Sequence, residues 1–213
     1  MSKITSVLAC SLVTFGGFAS GANILLNGSF ELTTPSTLAY GNNLPVVPDN
    51  WAFTPVTVGS DIPNTVFVDG TGTYTTGPNN AFDGVNYVDI SGDGYFSQSV
   101  TIGSDSNVTF GGWFSRRLGG SDSGFTSIWD STNTTSLFSS PSVSVPLADD
   151  IEIWVPSSNT VFLSAGTYTF RVEMGNFANA DKVSFSPEAV PEVASSVLGM
   201  LGLLTFAFRR NRL

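Results

Sequence analysis

The chain has 213 residues, of which 41% are hydrophobic and only 12% are charged, so it can bury a core and is predicted to fold as one domain flanked by targeting segments. The absence of His excludes Ser-His-Asp and Cys-His catalysis, His-ligated zinc and His-ligated haem. Residues 23–190 carry four basic residues against sixteen acidic ones, and this balance argues against nucleic acid as a partner because it repels phosphate backbones.

Residues 1–22 have the pattern of a secretory signal peptide. They combine a positive start at Lys3, an apolar middle, and small residues at Ser20 and Ala22 before the cleavage site. The alternatives are a buried N-terminal helix and a lipoprotein signal ending at Cys10, although the second leaves too short an apolar region. If Cys10 leaves with the signal, the mature chain has no thiol and forms no disulfide.

Residues 23–188 show no sustained helical periodicity and are predicted to form one all-β domain. Short Val, Ile, Phe, Tyr and Thr runs alternate with clusters of Gly, Pro, Asn and Ser, which is the pattern of strands and turns. Strands are predicted at residues 24–31, 51–54, 65–68, 86–90, 96–101, 108–116, 125–129, 151–155, 160–163, 167–174 and 182–186. Residues 131–144 are predicted to form a long loop or a weak edge hairpin. Short strands with regular turns favour a β-sandwich or jelly roll.

The alternation is clearest in residues 167–174. Every second side chain there is apolar, so Arg171 and Glu173 are predicted to face away from the core with Thr169. A β-strand with one buried face produces this pattern.

The body also resembles galactose-binding-like jelly rolls, a group that includes several carbohydrate-binding modules. The opening sequence NILLNGSFE resembles their first strand, and the closing sequences GTYTF and DKVSF resemble their last two strands. The resemblance implies a jelly-roll β-sandwich and a carbohydrate ligand. The segments that carry it are residues 23–31, 83–90, 96–100, 166–170 and 181–185.

Residues 189–213 contain an uncharged run of 16 residues followed by an arginine cluster. As a single transmembrane helix the run covers about 24 Å, short of the roughly 30 Å hydrocarbon core, with the arginines on the cytoplasmic side. A Val-Pro-Glu tripeptide, a Gly/Leu-rich span and terminal arginines resemble the PEP-CTERM sorting signal, which implies recognition by the membrane protease exosortase. An ordinary C-terminal anchor is the alternative. The matching residues are Val190, Pro191, Glu192, Arg209, Arg210 and Arg212.

The jelly-roll resemblance also implies a structural Ca²⁺. In that family a Glu of the opening motif and an Asp of the closing motif often hold the ion, and the matching residues are Glu31 and Asp181. Two carboxylates with backbone carbonyls suit the preference of Ca²⁺ for oxygen ligands. Lys182 stands where the family often has a second Asp, and its charge weakens such a site. The alternative is a pair of surface carboxylates.

Sugar binding needs exposed aromatic rings, because the C–H face of a sugar packs on a ring. The candidate rings are Trp51, Trp113, Trp129 and Trp154, and Trp51 occupies a position typical of the core. Trp113 and Trp154 are out of phase with the apolar face of their strands and are therefore the predicted glycan contacts, with Arg116 as a hydrogen-bond donor. Packing under a covered sheet face is the alternative for both rings.

These observations predict an exported bacterial surface or extracellular-matrix protein with a structural or adhesive role in an exopolysaccharide layer. Its expected partners are exosortase, extracellular polysaccharide and, before processing, the membrane. The first alternative is a carbohydrate-binding module that recognises a specific glycan. The second is a carbohydrate-active hydrolase, which is disfavoured because no motif positions two carboxylates for glycoside hydrolysis. We therefore expect no enzymatic activity.

Overall fold

In the computed structural model, the described residues are 21–33, 47–56, 62–67, 80–116, 123–144, 153–175 and 178–190. Within these ranges the chain forms strands and no helix. The strands are β1 (Ala52–Pro55), β2 (Ile62–Phe67), β3 (Asn86–Ser91), β4 (Gly94–Ile102), β5 (Ser106–Arg116), β6 (Ser123–Trp129), β7 (Ser136–Ser139), β8 (Val143–Ser144), β9 (Val155–Leu163), β10 (Gly166–Met174) and β11 (Ala178–Ala189).

The strands form two antiparallel sheets. The six-stranded sheet has the order β1-β4-β10-β6-β7, with β8 also paired to β6, and the five-stranded sheet has the order β2-β3-β11-β5-β9. The consecutive strands β10 and β11 occupy the centre of different sheets, so the chain crosses between the two layers. The prediction of an all-β sandwich is confirmed.

The core lies between the sheets and is rich in phenylalanine. The ring of Phe170 on β10 lies 6.2 Å from that of Trp51 and 5.9 Å from that of Phe185 on β11, measured between ring centroids. Aromatic side chains bury large apolar areas, so a few of them supply much of the stabilisation of a small sandwich. Among the residues that the structure describes, the fully buried aromatic ones are Phe30, Tyr87, Phe96, Phe110, Phe114, Phe170 and Phe185.

The prediction of a strand at residues 24–31 is wrong. Asn27 and Phe30 have φ values of 54° and 58°, in the left-handed region, and the Phe30 amide donates to the Asn27 carbonyl at 3.1 Å. The Asn27 side chain completes this turn by donating to the carbonyls of Leu32 at 2.8 Å and Asp49 at 3.0 Å. Asn tolerates this conformation and its amide replaces ladder hydrogen bonds, so the segment turns instead of extending.

A β-bulge interrupts β11. The register of β11 against β5 shifts between Asp181 and Ser184, and Lys182 within it has a φ of 45°. The extra residue reverses the alternation, so that Ala180 before it and Val183 after it are both buried in the core. A bulge therefore explains how one strand presents two different sets of inward positions.

Two predicted segments differ from the observed strands around the sheet edges. Residues 151–155 and 160–163 were expected to be separate strands, but β9 runs without interruption from Val155, and residues 151–152 lie outside the described ranges. Residues 131–144 contain two short strands, β7 and β8, and each of them pairs with β6, so the stretch is neither wholly a loop nor a hairpin of its own.

The predicted targeting segments lie almost entirely outside the described ranges, which exclude residues 1–20 and 191–213. Val190 is described, and its amide donates to the carbonyl of Asp105 at 3.2 Å. None of the described residues belongs to a helix with the length and apolar character that a bilayer crossing requires.

Candidate functional site

The outer face of the six-stranded sheet collects charged and aromatic side chains. On β10, Phe170 and Val172 point into the core, so Arg171 and Glu173 point outward, as the alternation predicts. The register places Arg171 opposite Ser127 of β6 on one side, with β4 on the other side. The central strand of this sheet therefore carries a cation and an anion on its outer face.

The guanidinium of Arg171 lies between two aromatic rings contributed by the flanking strands. Its Cζ is 3.9 Å from the ring centroid of Tyr95 on β4 and 3.5 Å from that of Trp129 on β6. Both rings are half-buried, whereas the Arg171 side chain is only 6% exposed. Such cation–π contacts hold the three side chains in one arrangement.

Glu173 completes this group through a set of short hydrogen bonds. The indole Nε1 of Trp129 donates to Ser127 Oγ at 2.7 Å and to Glu173 Oε1 at 3.2 Å, and Ser127 Oγ donates to the same Oε1 at 2.5 Å. Glu173 Oε2 accepts no hydrogen bond from the part of the chain that the structure describes. We call these five side chains the Arg171 cluster: Tyr95, Ser127, Trp129, Arg171 and Glu173.

The Arg171 cluster has the chemical groups that a sugar requires. Aromatic rings offer flat apolar surfaces, the carboxylate accepts hydrogen bonds from hydroxyl groups, and the guanidinium donates them. These groups are fixed to neighbouring strands rather than to separate loops, so their spacing is set by the sheet. The arrangement suits recognition of a polar, hydroxyl-rich ligand.

Trp113 and Trp154, the predicted glycan contacts, lie on the outer face of the five-stranded sheet instead. The ring of Phe82 stacks on Trp113, with centroids 3.7 Å apart and an interplanar angle of 14°. Trp154 contacts Tyr87 edge-on at 5.5 Å and donates from Nε1 to the carbonyl of Asn80 at 3.1 Å. Protein groups therefore already cover one face of the Trp113 ring and bind the Trp154 indole N–H.

Arg116 does not share a face with Trp113. Along β5, Arg116 lies on the same side as the core residue Phe114, whereas Trp113 lies on the opposite side. Arg116 is only 3% exposed. Trp51 is buried in the core, as expected, and its Nε1 donates to the Asn27 carbonyl at 3.1 Å. Of the three predicted glycan contacts, the structure therefore keeps Trp113 and Trp154 on one sheet face and places Arg116 on the opposite, buried side of β5.

Glu31 and Asp181, the predicted Ca²⁺ ligands, bind neighbouring parts of one segment. Glu31 Oε1 accepts hydrogen bonds from the amides of Val85 and Asn86 at 3.0 and 2.9 Å. Asp181 Oδ2 accepts from the amide of Asp83 at 2.8 Å. Both carboxylates therefore tie the segment before β3 to the two ends of the body.

Burial dominates the electrostatics of these two carboxylates. It raises the pKa of Asp181 to about 7, although three backbone amides act in the opposite direction, and the nearby Asp83 carboxylate adds to the increase. Burial also raises the pKa of Glu31, and Asp83 again contributes. Among the described residues no three His, Cys, Asp or Glu side chains are grouped as a metal site.

Sequence reasoning did not select the Arg171 cluster. Trp129 was one of the four candidate rings, and the outward direction of Arg171 and Glu173 followed from alternation. The missing information was the strand order β4-β10-β6, which brings Tyr95 and Trp129 to either side of Arg171. The signal that the sequence does offer is the alternation in residues 167–174, which places Arg171 and Glu173 together on the outward face of one strand.

No protein-family model matches the sequence, and a search of curated proteins finds no match. Similar solved structures include carbohydrate-binding modules of several families. TmCBM61, solved with β-1,4-galactotriose, is 16% identical, with 78% of this chain and 99% of that chain covered and a TM-score of 0.46. The CBM22-1 xylan-binding domain of Xyn10C from Paenibacillus barcinonensis is 13% identical, with 66% and 87% covered and a TM-score of 0.41. The K2 cleaved adhesin domain of Lys-gingipain is 16% identical, with 74% and 96% covered and a TM-score of 0.45.

Proposed function

We propose that this chain is an exported carbohydrate-binding domain with a jelly-roll body that binds a glycan on the Arg171 cluster without cleaving it. The observation that carries the proposal is the placement of the Arg171 guanidinium between the rings of Tyr95 and Trp129 on the outer face of a sheet. The cluster joins aromatic surfaces to a donor and an acceptor, and binding sites for polar ligands combine these features.

The ligand class follows from charge. Residues 23–190 carry sixteen acidic residues against four basic ones, and one of the acids, Glu173, belongs to the cluster itself. A polymer of uronic acids would meet repulsion from this surface. We therefore assign neutral polysaccharides as the ligand, with binding that changes little with salt concentration because no ionic contact with the ligand dominates it.

Affinity electrophoresis in gels that contain single neutral or acidic polysaccharides tests this function. We expect the protein to be retarded by at least one neutral polymer and by no uronate-rich polymer, at both low and high salt. Equal migration in every gel would contradict the proposal. Shortening of the retained polymer by the purified protein would instead favour the hydrolase alternative.

We also propose that the two termini deliver this domain to the cell surface. Residues 1–22 would be removed on export, and exosortase would recognise the motif at Val190, Pro191 and Glu192 with Arg209, Arg210 and Arg212 behind the apolar run. The resulting surface domain would serve a structural or adhesive role in an exopolysaccharide layer. The intact mass of the protein recovered from its native cells should lack both terminal segments, and a full-length mass would contradict this processing.

A structural Ca²⁺ at Glu31 and Asp181 is a further proposal. Glu31 Oε2 accepts no hydrogen bond within the described residues. Burial, with a smaller contribution from the Asp83 carboxylate, raises the pKa of Glu31 and of Asp181, and a bound cation would stabilise the ionised form of both. The ion would tie the opening turn to β11.

Thermal unfolding in Ca²⁺ and in EDTA measures how much the bound ion would stabilise the protein. Ca²⁺ at 100 times its dissociation constant should stabilise the protein by about 2.7 kcal/mol. The Glu31→Gln variant should lose most of this increment, and Mg²⁺ serves as the control ion. Identical unfolding curves in Ca²⁺ and EDTA would exclude the site.

A further inference from the structure

The connection between β6 and β7 is organised around one carboxylate. Asp130 Oδ1 accepts hydrogen bonds from the amides of Thr134 and Thr135 at 2.8 and 3.2 Å, and Oδ2 accepts from the hydroxyls of Thr132 and Thr134 at 3.0 and 3.1 Å. These hydrogen bonds lower the pKa of Asp130 to about 2, and the bond from the Thr134 amide has the largest effect. The carboxylate is therefore ionised throughout the neutral range. The loop therefore has a defined shape although it is exposed.

This shape presents Asn133 to the Arg171 cluster. Its amide donates to the Asp130 carbonyl at 3.0 Å, and its φ is 60°, a conformation that Asn, Asp and Gly adopt most readily. Asn133 is half-buried, whereas its neighbours Thr132 and Thr134 are exposed. The loop thus turns one side chain inward.

Asn133 accepts two hydrogen bonds from Arg171. Arg171 Nε donates to Asn133 Oδ1 at 2.6 Å, and Nη2 donates to the Asn133 carbonyl at 2.8 Å. Because the bonds come from two nitrogens of one planar group, they fix its rotation as well as its position. The rings of Tyr95 and Trp129 fix the plane from either side, while Nη1 donates to no acceptor in the described part of the chain.

We propose that Asn133 is a positioning residue for glycan recognition: it holds the Arg171 guanidinium between Tyr95 and Trp129 so that Nη1 is presented to the ligand. This inference rests on the proposed function of the Arg171 cluster. An arginine side chain has several rotatable bonds, and a ligand that had to order it on binding would bind more weakly. The loop provides that order before the ligand arrives.

The matched pair of variants is Asn133→Gly and Asn133→Asp. Gly keeps the positive φ and the backbone carbonyl but removes the acceptor for Nε, whereas Asp keeps both acceptors and tolerates the same φ. We expect Asn133→Gly to weaken affinity for the retained neutral polysaccharide about 10-fold and Asn133→Asp to stay within about 3-fold of the wild type. Ser131→Ala, in an exposed part of the same loop, is the control and should bind like the wild type.

A second measurement follows the contact in the free protein. The Arg171 Nε–H should give a slowly exchanging NMR signal in the wild type and in Asn133→Asp, and should exchange faster in Asn133→Gly. If Asn133→Gly binds like the wild type, or if the Nε–H exchanges equally fast in all three proteins, the positioning role is excluded while the proposed function stands. If the wild type binds no glycan, both the proposed function and this role in recognition are excluded.

Discussion

Replacing Trp129 with alanine is expected to weaken glycan binding about 30-fold or more, the size of effect typical of an aromatic residue at the centre of a binding site. The change removes a ring surface and one of the two rings that hold Arg171. It also removes the indole N–H that reaches Ser127 and Glu173. Affinity electrophoresis against the retained polysaccharide measures the effect, with thermal unfolding to show that the variant is folded.

Trp113→Ala is the matched control, because it removes the same type of ring from the outer face of the other sheet. We expect it to bind within about 3-fold of the wild type, since Trp113 lies on the other sheet and contributes no contact to the Arg171 cluster. Trp129→Phe keeps an aromatic surface without the N–H and should fall between wild type and alanine. Loss of binding in Trp113→Ala with retention in Trp129→Ala would move the site to the face that contains Trp113 and Trp154.

The alternation of apolar and polar residues was sufficient to predict which side chains of a regular strand face the core. In β10 every second residue is apolar, and the structure buries Phe170 and Val172 while it turns Arg171 outward. The same holds for β5, where Val108 and Phe110 face the core. These predictions succeed because alternation depends only on the backbone period of a strand.

The opening segment and β11 could not be predicted in this way. In the opening segment, apolar residues that suggest a strand are interrupted by a turn that the Asn27 side chain completes with residues beyond the segment. In β11 the bulge at Lys182 changes which side chains face inward. Both features depend on hydrogen bonds to distant parts of the chain, including the bond from the Val183 amide to the Gly28 carbonyl at 2.9 Å.

The candidate site depends on the same kind of long-range information. Tyr95, Trp129 and Arg171 lie far apart in sequence and become neighbours only because β10 inserts between β4 and β6. Periodicity assigns each residue to a face of its strand, but it does not assign the strands to positions in a sheet. Sequence reasoning therefore named aromatic rings and an arginine as glycan contacts from their strand phase alone, and its choice of Trp113 and Trp154, which lie on the other sheet, stays a prediction.

The second large effect is expected in the core, because the Phe170 side chain packs between the two sheets. It belongs to the central strand of the six-stranded sheet, is fully buried, and contacts Trp51 and Phe185. Phe170→Ala should lower the free energy of unfolding by about 3–5 kcal/mol, through lost burial and the cavity that remains. That is a large part of the roughly 5–15 kcal/mol typical of a domain, so the urea midpoint should fall steeply while the m-value stays unchanged.

Phe162→Ala provides the control on the edge strand β9, where the side chain is 53% exposed. Its expected effect is within about 0.5 kcal/mol, because removal of an exposed ring leaves no cavity. A loss below about 1 kcal/mol for Phe170→Ala would mean that the neighbouring side chains collapse into the space, as a loosely packed interior allows. A difference of several kcal/mol between the two variants would instead establish that the sheets are held together by close packing at their central strands, which also fixes the outward direction of Arg171 on the opposite face of β10.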